Sequence, residues 1–103
     1  MDNLVLIENK ILSPENLQPL LHIWRFKEQK IVFTNGCFDL LHLGHIDYLA
    51  KAANLGNKLV IGLNSDKSTS DLKGPGRPIT NQKSRARLLA ALYFVDAVVL
   101  FDE

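Results

Sequence analysis

The chain has 103 residues, 47% of them hydrophobic and 22% charged, with a formal net charge of +1. That is the composition of one small globular domain, with neither the basic excess of a nucleic-acid binder nor an acidic tail. No apolar run approaches the roughly 18 residues of a membrane span, "MDNLVLIENK" is a poor signal peptide, and the single cysteine, Cys37, can form no internal disulfide, so a cytoplasmic setting is expected.

The first predicted element is a helix within "ILSPENLQPLLHIWRFKEQ". Ser13 can cap it, and Pro14 suits the first helical position because its missing N–H would have no partner there. Leu17, Leu20, Leu21 and Trp24 recur at helical spacing as one apolar stripe. Pro19 lies early enough to bend this helix without abolishing it, and His22 reads as part of its surface. "KIVFT" (30–34) is a β-branched and aromatic run ending at Asn35-Gly36, hence a buried strand. "TNGCFDLLHLGH" follows, with an acid, two glycines and two of the three histidines. In "HIDYLAKAANLG" the residues Ile46, Leu49, Ala50 and Ala53 share a helical face, and Gly56 is expected to end the helix in a left-handed conformation. "KLVIGLNSD" (58–66) reads as a second strand and "KSTSDLKGPGRPIT" as a long polar loop. "QKSRARLLAALYFV" reads as a helix capped by Thr80 or Asn81, with Leu88, Leu89, Leu92 and Tyr93 inward. "AVVLF" (97–101) is a third strand.

Strand, helix, strand, helix, strand implies an α/β fold: a Rossmann-like parallel sheet with right-handed βαβ crossovers. Residues 1–29 are then a lead segment with its helix, and residues 30–103 a βαβαβ core, together one domain. Ligands of such sheets bind beyond the carboxyl ends of the strands. Those ends are Thr34-Asn35-Gly36 and Asn64-Ser65-Asp66, so polar residues converge where chemistry is expected. Asn, Ser and Asp are also favoured wherever a strand turns, and both readings of 64–66 stay open. Cys37, His42 and His45 are possible metal ligands, but their spacing matches no usual zinc pattern and a fourth ligand is missing.

"TNGCFDLLHLGH" resembles the signature of the cytidylyltransferase-like nucleotidyltransferases: His-x-Gly-His after a Gly-x-Phe-Asp turn. Together with "NSD", "LKGPGRP" and "VDAVV", in that order and spacing, it is most similar to the adenylyltransferase domain of ADP-heptose synthase, an activity of lipopolysaccharide biosynthesis. Glycerol-phosphate cytidylyltransferase shares the histidine motif but usually differs at Asn-Gly-Cys. The resemblance runs from about Lys30 onward.

The reaction this implies is attack by a phosphorylated sugar on the α-phosphorus of ATP (or CTP), carried with Mg²⁺, with pyrophosphate leaving. The acceptor phosphate is already ionised, so alignment and charge neutralisation are the enzyme's tasks. His42 and His45, at i and i+3, would share one helical face and meet one phosphate chain, helped by the helix N-terminus. Gly36 and Gly44 would let phosphate approach the backbone. By the same resemblance Thr34, Asn35, Cys37, Phe38 and Asp39 belong to the nucleotide-binding turn, Asp39 shaping it rather than touching substrate. Asn64, Ser65 and Asp66 would face the acceptor. Lys73 and Arg77 flank "GPG". Lys73, in the loop after the second strand, and Arg85, eleven residues before Asp96, match family positions that neutralise phosphates; Arg87 matches less clearly. A solvated loop is the alternative for this basic stretch.

Family members continue beyond the equivalent of "VDAVVLFDE" with further strand and helix units. The expectation is therefore either a truncated domain or a homo-oligomer that buries the open edge of the first core strand. A nucleotide-binding half-domain without turnover is the alternative of another class. Met1 and the short lead helix suggest a transferase not fused to a kinase.

Overall fold

Every residue of "LVIGLNS" (59–65) is buried, which makes the strand Lys58–Asn64 the centre of the molecule. A strand covered on both faces carries a continuous apolar run rather than an alternating one. The computed structural model describes residues 2–102. Its elements are α1 (Asn3–Asn9), β1 (Ile11–Leu12), α2 (Pro14–Phe26), β2 (Ile31–Gly36), α3 (Leu43–Ala53), β3 (Lys58–Asn64), α4 (Asp66–Lys73), α5 (Gln82–Ala90) and β4 (Ala97–Phe101). The four strands form one parallel sheet in the order β1-β4-β3-β2. This is the expected α/β, Rossmann-like arrangement, widened by a short strand at one edge.

On one face of β3, Ile61, Leu59 and Leu63 pack with Leu49 of α3 and with Ala86, Leu89 and Ala90 of α5. On the other face, Val60, Ala97 and Val99 meet Leu17 and Trp24 of α2. Each fully buried aliphatic side chain in these layers stabilises the fold by about 1.5–3 kcal/mol. The α2 stripe is as its spacing predicts. Ser13 caps it, accepting from Asn16 N–H at 3.1 Å, and Pro19 is accommodated inside it.

Four expectations are corrected. α1 and β1 lie in the lead segment, where only one helix was predicted; β1 is two residues long and exists through its pairing of Ile11 and Leu12 with Val98 and Val99. The stretch read as a long polar loop contains α4. Ser65 caps it, accepting from Ser68 N–H at 3.2 Å, and it buries Ser68 and Thr69 rather than an apolar stripe. α5 ends at Ala90, capped by Asn81, and turns Arg85, Ala86, Leu89 and Ala90 inward. Leu88 is half exposed and Tyr93 is 92% exposed. Gly56 has no left-handed backbone. Glycine is required there because a Cβ would lie 2.7 Å from the carbonyl oxygen of Lys30.

β2 terminates the sheet. It pairs with β3 along its full length and with no strand on its other side among the described residues. The buried strand expected here is corrected as well: no residue of β2 is fully buried, and Phe33 in its middle is 58% exposed, because β2 lies at the sheet edge. Its last residue, Gly36, opens the turn from which the candidate site is built.

Candidate active site

The turn between β2 and α3 is built around a ring. Phe38 adopts a left-handed backbone, φ 47°, an uncommon and strained conformation for a bulky residue. It carries its side chain inward, where it meets the His45 ring at 5.3 Å and the Tyr48 ring edge-on at 6.5 Å. Gly36 makes this possible, since a Cβ there would lie 3.0 Å from the Phe38 ring.

Asp39 is buried and holds the turn from below. Its Oδ1 accepts from the backbone N–H groups of Ile79 at 2.7 Å and Thr80 at 3.1 Å, and its Oδ2 accepts from Arg77 Nε–H. Burial alone would raise its pKa. The hydrogen bonds from Thr80, Arg77 and Ile79 outweigh that and hold the carboxyl below the usual aspartate value. These bonds tie the turn to the loop at 77–80.

The histidines are arranged differently from the shared helical face expected of them. His42 lies outside α3 as its N-cap, and His45 is the third residue of the helix. His42 Nδ1 accepts from Gly44 N–H at 3.0 Å, while His45 Nδ1 accepts from His42 N–H at 3.2 Å, a reciprocal capping box made of two imidazoles. The rings stack with centroids 4.1 Å apart. A nitrogen that accepts carries no proton, so in the neutral rings the proton sits on Nε2 of each. Burial, and then the neighbouring His42, push the pKa of His45 below that of a free imidazole. Gly44 serves this pair. A Cβ there would stand 2.8 Å from His42 Cε1, so the missing side chain makes room for the chain's own ring, whereas room for phosphate was expected.

Across from the histidines stands the loop after α4. Gly74 and Gly76 have φ of 97° and 84°, and Arg77 N–H donates to Gly74 O at 3.3 Å. Proline second and a left-handed glycine third make this a type II turn. It brings Lys73 and Arg77 to the same wall.

These pieces enclose a cavity of about 440 Å³. Of the expected residues, Asn35, Gly36, Cys37, Phe38, Asp39, His42, His45 and Lys73 line it. Leu40, Tyr48 and Arg77 also line it and were not singled out as site residues. Tyr48 was legible as the residue three after His45, one helical turn along; Arg77 was legible with Lys73 as a cation of a basic loop able to lie against phosphates, though it was given no site role of its own. Thr34 does not line the cavity, and its hydroxyl instead shares a 2.6 Å hydrogen bond with that of Tyr48. Gly44 stands behind the His42 ring.

Arg85 departs most from expectation. It is 1% exposed and lies beneath the cavity rather than in it. Its guanidinium donates to the carbonyls of Thr80 (2.8 Å), Cys37 (2.6 Å) and Asn64 (2.8 Å) and to the carboxylate of Asp66 (2.8 Å). Through those bonds it ties the ends of β2 and β3 to α4 and α5. Ser65 is the α4 cap and Asp66 the Arg85 partner, so this strand end has the turn chemistry its residue types allow. Arg87 pairs with Glu8 of α1 at 2.7 Å. Among the described residues no group of three or more His, Cys, Asp and Glu could hold a metal ion. Among the described residues no helix is long and apolar enough to cross a membrane.

The family model described as cytidylyltransferase-like matches residues 33–103, a segment that contains every residue lining this cavity. The chain belongs to the cytidylyltransferase-like family. Within that family it is similar to curated proteins named "Bifunctional protein HldE". The one from Methylobacillus flagellatus is 55% identical over 92% of this chain, and one from Campylobacter jejuni subsp. doylei is 56% identical over 98%. The chain spans only 20% and 21% of their lengths. Among solved structures it is similar to a lipopolysaccharide core biosynthesis protein from Thermoplasma volcanium, with a TM-score of 0.66 and 36% identity. That match covers 71% of this chain and 58% of the other.

Proposed function

We propose that this chain carries the nucleotidyl-transfer site of an enzyme that moves AMP from ATP to a sugar 1-phosphate of the heptose type. An oxygen of the acceptor phosphate would bond to the α-phosphorus, the bond from that phosphorus to the bridging oxygen would break, and pyrophosphate would leave with the electron pair. The observation that carries this reading is the stacked histidine pair. Both Nδ1 atoms are engaged by backbone N–H groups, so each ring offers one Nε2–H donor, in fixed orientation, to a cavity that Lys73 also lines. Preorganised donors aimed at oxygens where charge develops contribute more to transfer than a base would, because the nucleophile is already ionised. Mg²⁺ would arrive on the triphosphate as part of the substrate, since the described residues offer no carboxylate cluster for it. A cytoplasmic setting, where ATP is supplied, is part of the same proposal.

The adenylyl reading rests on the four sequence blocks that resemble ADP-heptose synthase and on the relatives' printed name. A second reading is cytidylyl transfer to glycerol 3-phosphate or another phosphorylated alcohol, of which the description of the family model favours the cytidylyl part. Pyrophosphate release measured with ATP and with CTP, each against heptose 1-phosphate and glycerol 3-phosphate, separates the two. Release with ATP and heptose 1-phosphate is expected. The relatives are about five times longer, so the same assay is run on the chain and on any longer protein that contains it. Nucleotide binding without release in either would leave a binding module. Self-association through the open edge of β2 belongs to the same proposal, and sedimentation as a monomer at every concentration would remove it.

A further inference from the structure

Arg77 lines the cavity, is about one-third exposed (37% of its side chain), and is the only residue of the cavity wall whose charged group is gripped by a buried carboxylate. The grip is one-sided. Asp39 takes the Nε–H, and no hydrogen bond from either Nη is made to the described residues. The other Asp39 oxygen is occupied by two backbone N–H groups, so the carboxylate cannot swing away to follow a moving side chain. The type II turn at Gly74–Arg77 fixes the other end of the same arginine. A guanidinium held by Nε presents its two Nη groups as a planar fork, the geometry that matches two oxygens of one phosphate. His42, His45 and Lys73 share the space in front of it.

We infer that Arg77 contacts substrate, its fork receiving a phosphate in the cavity, and that Asp39 is the positioning residue that aims it. The inference rests on the cavity being a phosphate site, as in the proposed function. It adds a second fixed donor set opposite the histidines, so that the phosphate chain is gripped from two walls. The same phosphoryl chemistry could belong to the nucleotide or to the acceptor.

The test uses the full chain and calorimetric titration with inorganic pyrophosphate plus magnesium, which carries the phosphoryl groups without base or sugar. ATP and heptose 1-phosphate titrations then tell which substrate the fork holds. Arg77→Gln is expected to weaken pyrophosphate binding about tenfold or more, the size of a lost charged hydrogen-bond pair, at temperatures where the variant still melts cooperatively. Arg77→Lys, which keeps the charge and loses the fork, should recover only part of the affinity. Asp39→Asn should weaken binding less than Arg77→Gln, and Lys67→Gln, at an exposed position that does not line the cavity, should leave it unchanged. Should Arg77→Gln fail to fold, Arg77→Lys decides: binding weakened about threefold or more supports the fork, and unchanged binding overturns it. Wild-type affinity in folded Arg77→Gln, or a wild type that does not bind pyrophosphate, also overturns the inference. Arg77-dependent binding without pyrophosphate release from any substrate pair sinks the proposed transfer and leaves the fork standing. Release with unchanged kcat and KM in Arg77→Gln does the reverse.

Discussion

Two arginines eight residues apart show how differently the same side chain can be used. Arg85 is fully buried, with its donors directed at carbonyls of its own chain. Arg77 is partly exposed, with one donor tied down and its fork facing a cavity. The strand end at Asn64-Ser65-Asp66 goes with Arg85, and the histidine turn goes with Arg77. Charge and proximity to the strand ends do not distinguish the two regions. What distinguishes them is whether the polar groups still have hydrogen-bonding capacity after the fold has used what it needs.

That contrast can be broken most forcefully at Arg85. Arg85→Met would leave the Asp66 carboxylate without its cation and several carbonyls without a donor. At about 1–3 kcal/mol for each buried carbonyl left without a partner, it is expected to cost about 3 kcal/mol or more in urea denaturation; a loss under about 1 kcal/mol would erase the distinction between the two regions. His42→Ala and His45→Ala should give the opposite signature. Transfer by an active form is expected to fall at least about 10²-fold, roughly 3 kcal/mol of transition-state stabilisation, while thermal or urea unfolding registers only about 1 kcal/mol from the lost cap. A variant that loses substrate affinity and keeps its turnover would contradict the role given to the rings.

The glycines sharpen the same division at smaller amplitude. Gly56→Ala meets a backbone carbonyl and Gly44→Ala meets an imidazole, and each is expected to cost about 1–3 kcal/mol in urea unfolding. A ring can turn aside where a backbone cannot. Gly44→Ala should therefore lower transfer more than its stability loss implies, and Gly56→Ala should leave the chemistry of the remaining folded molecules intact. Acid gives a gentler probe. His45 has a lowered pKa in the folded protein, so just below about pH 6.5 the unfolded chain binds the extra proton. Stability is then expected to be full above that value and to decline as pH falls toward the folded pKa. Asp39 has a lowered pKa too, and its contribution, present above the ordinary aspartate range, is lost as pH drops through its folded value. Urea midpoints followed from pH 8 to pH 3 should show two separate declines, the upper one absent in His45→Gln. The smallest effect belongs to the exposed Lys67–Asp71 pair: Asp71→Asn should change stability by no more than about 0.5 kcal/mol.

Much of this was legible in the sequence wherever apolar spacing carried the information. β4 runs over the predicted residues 97–101, α2 has the predicted cap and stripe, and the polar strand ends fall on one side of the sheet. α4 escaped because it buries Ser68 and Thr69 against the end of β3 and has no apolar period to detect. β1 escaped because two residues have no pattern of their own and gain one only from β4. At the site the right residue types were picked with some wrong partners. Gly36 and Gly44 do clear space, but for Phe38 and His42, and a lone sequence cannot tell a ligand from a neighbouring ring. Arg85 and Arg77 differ in role because Asp66 and Asp39 stand where they do, a tertiary fact that spacing does not encode.

β2 has a mechanical consequence for everything at its tip. Among the described residues the strand is paired along one flank only, so the turn that carries Phe38, Asp39 and the histidines hangs from an edge of the sheet. Asp39 moors that turn to the loop at 77–80 from the opposite side. Any chain laid against the free flank would tighten the same margin, so the sharpness with which the cavity is set is coupled to what lies alongside β2.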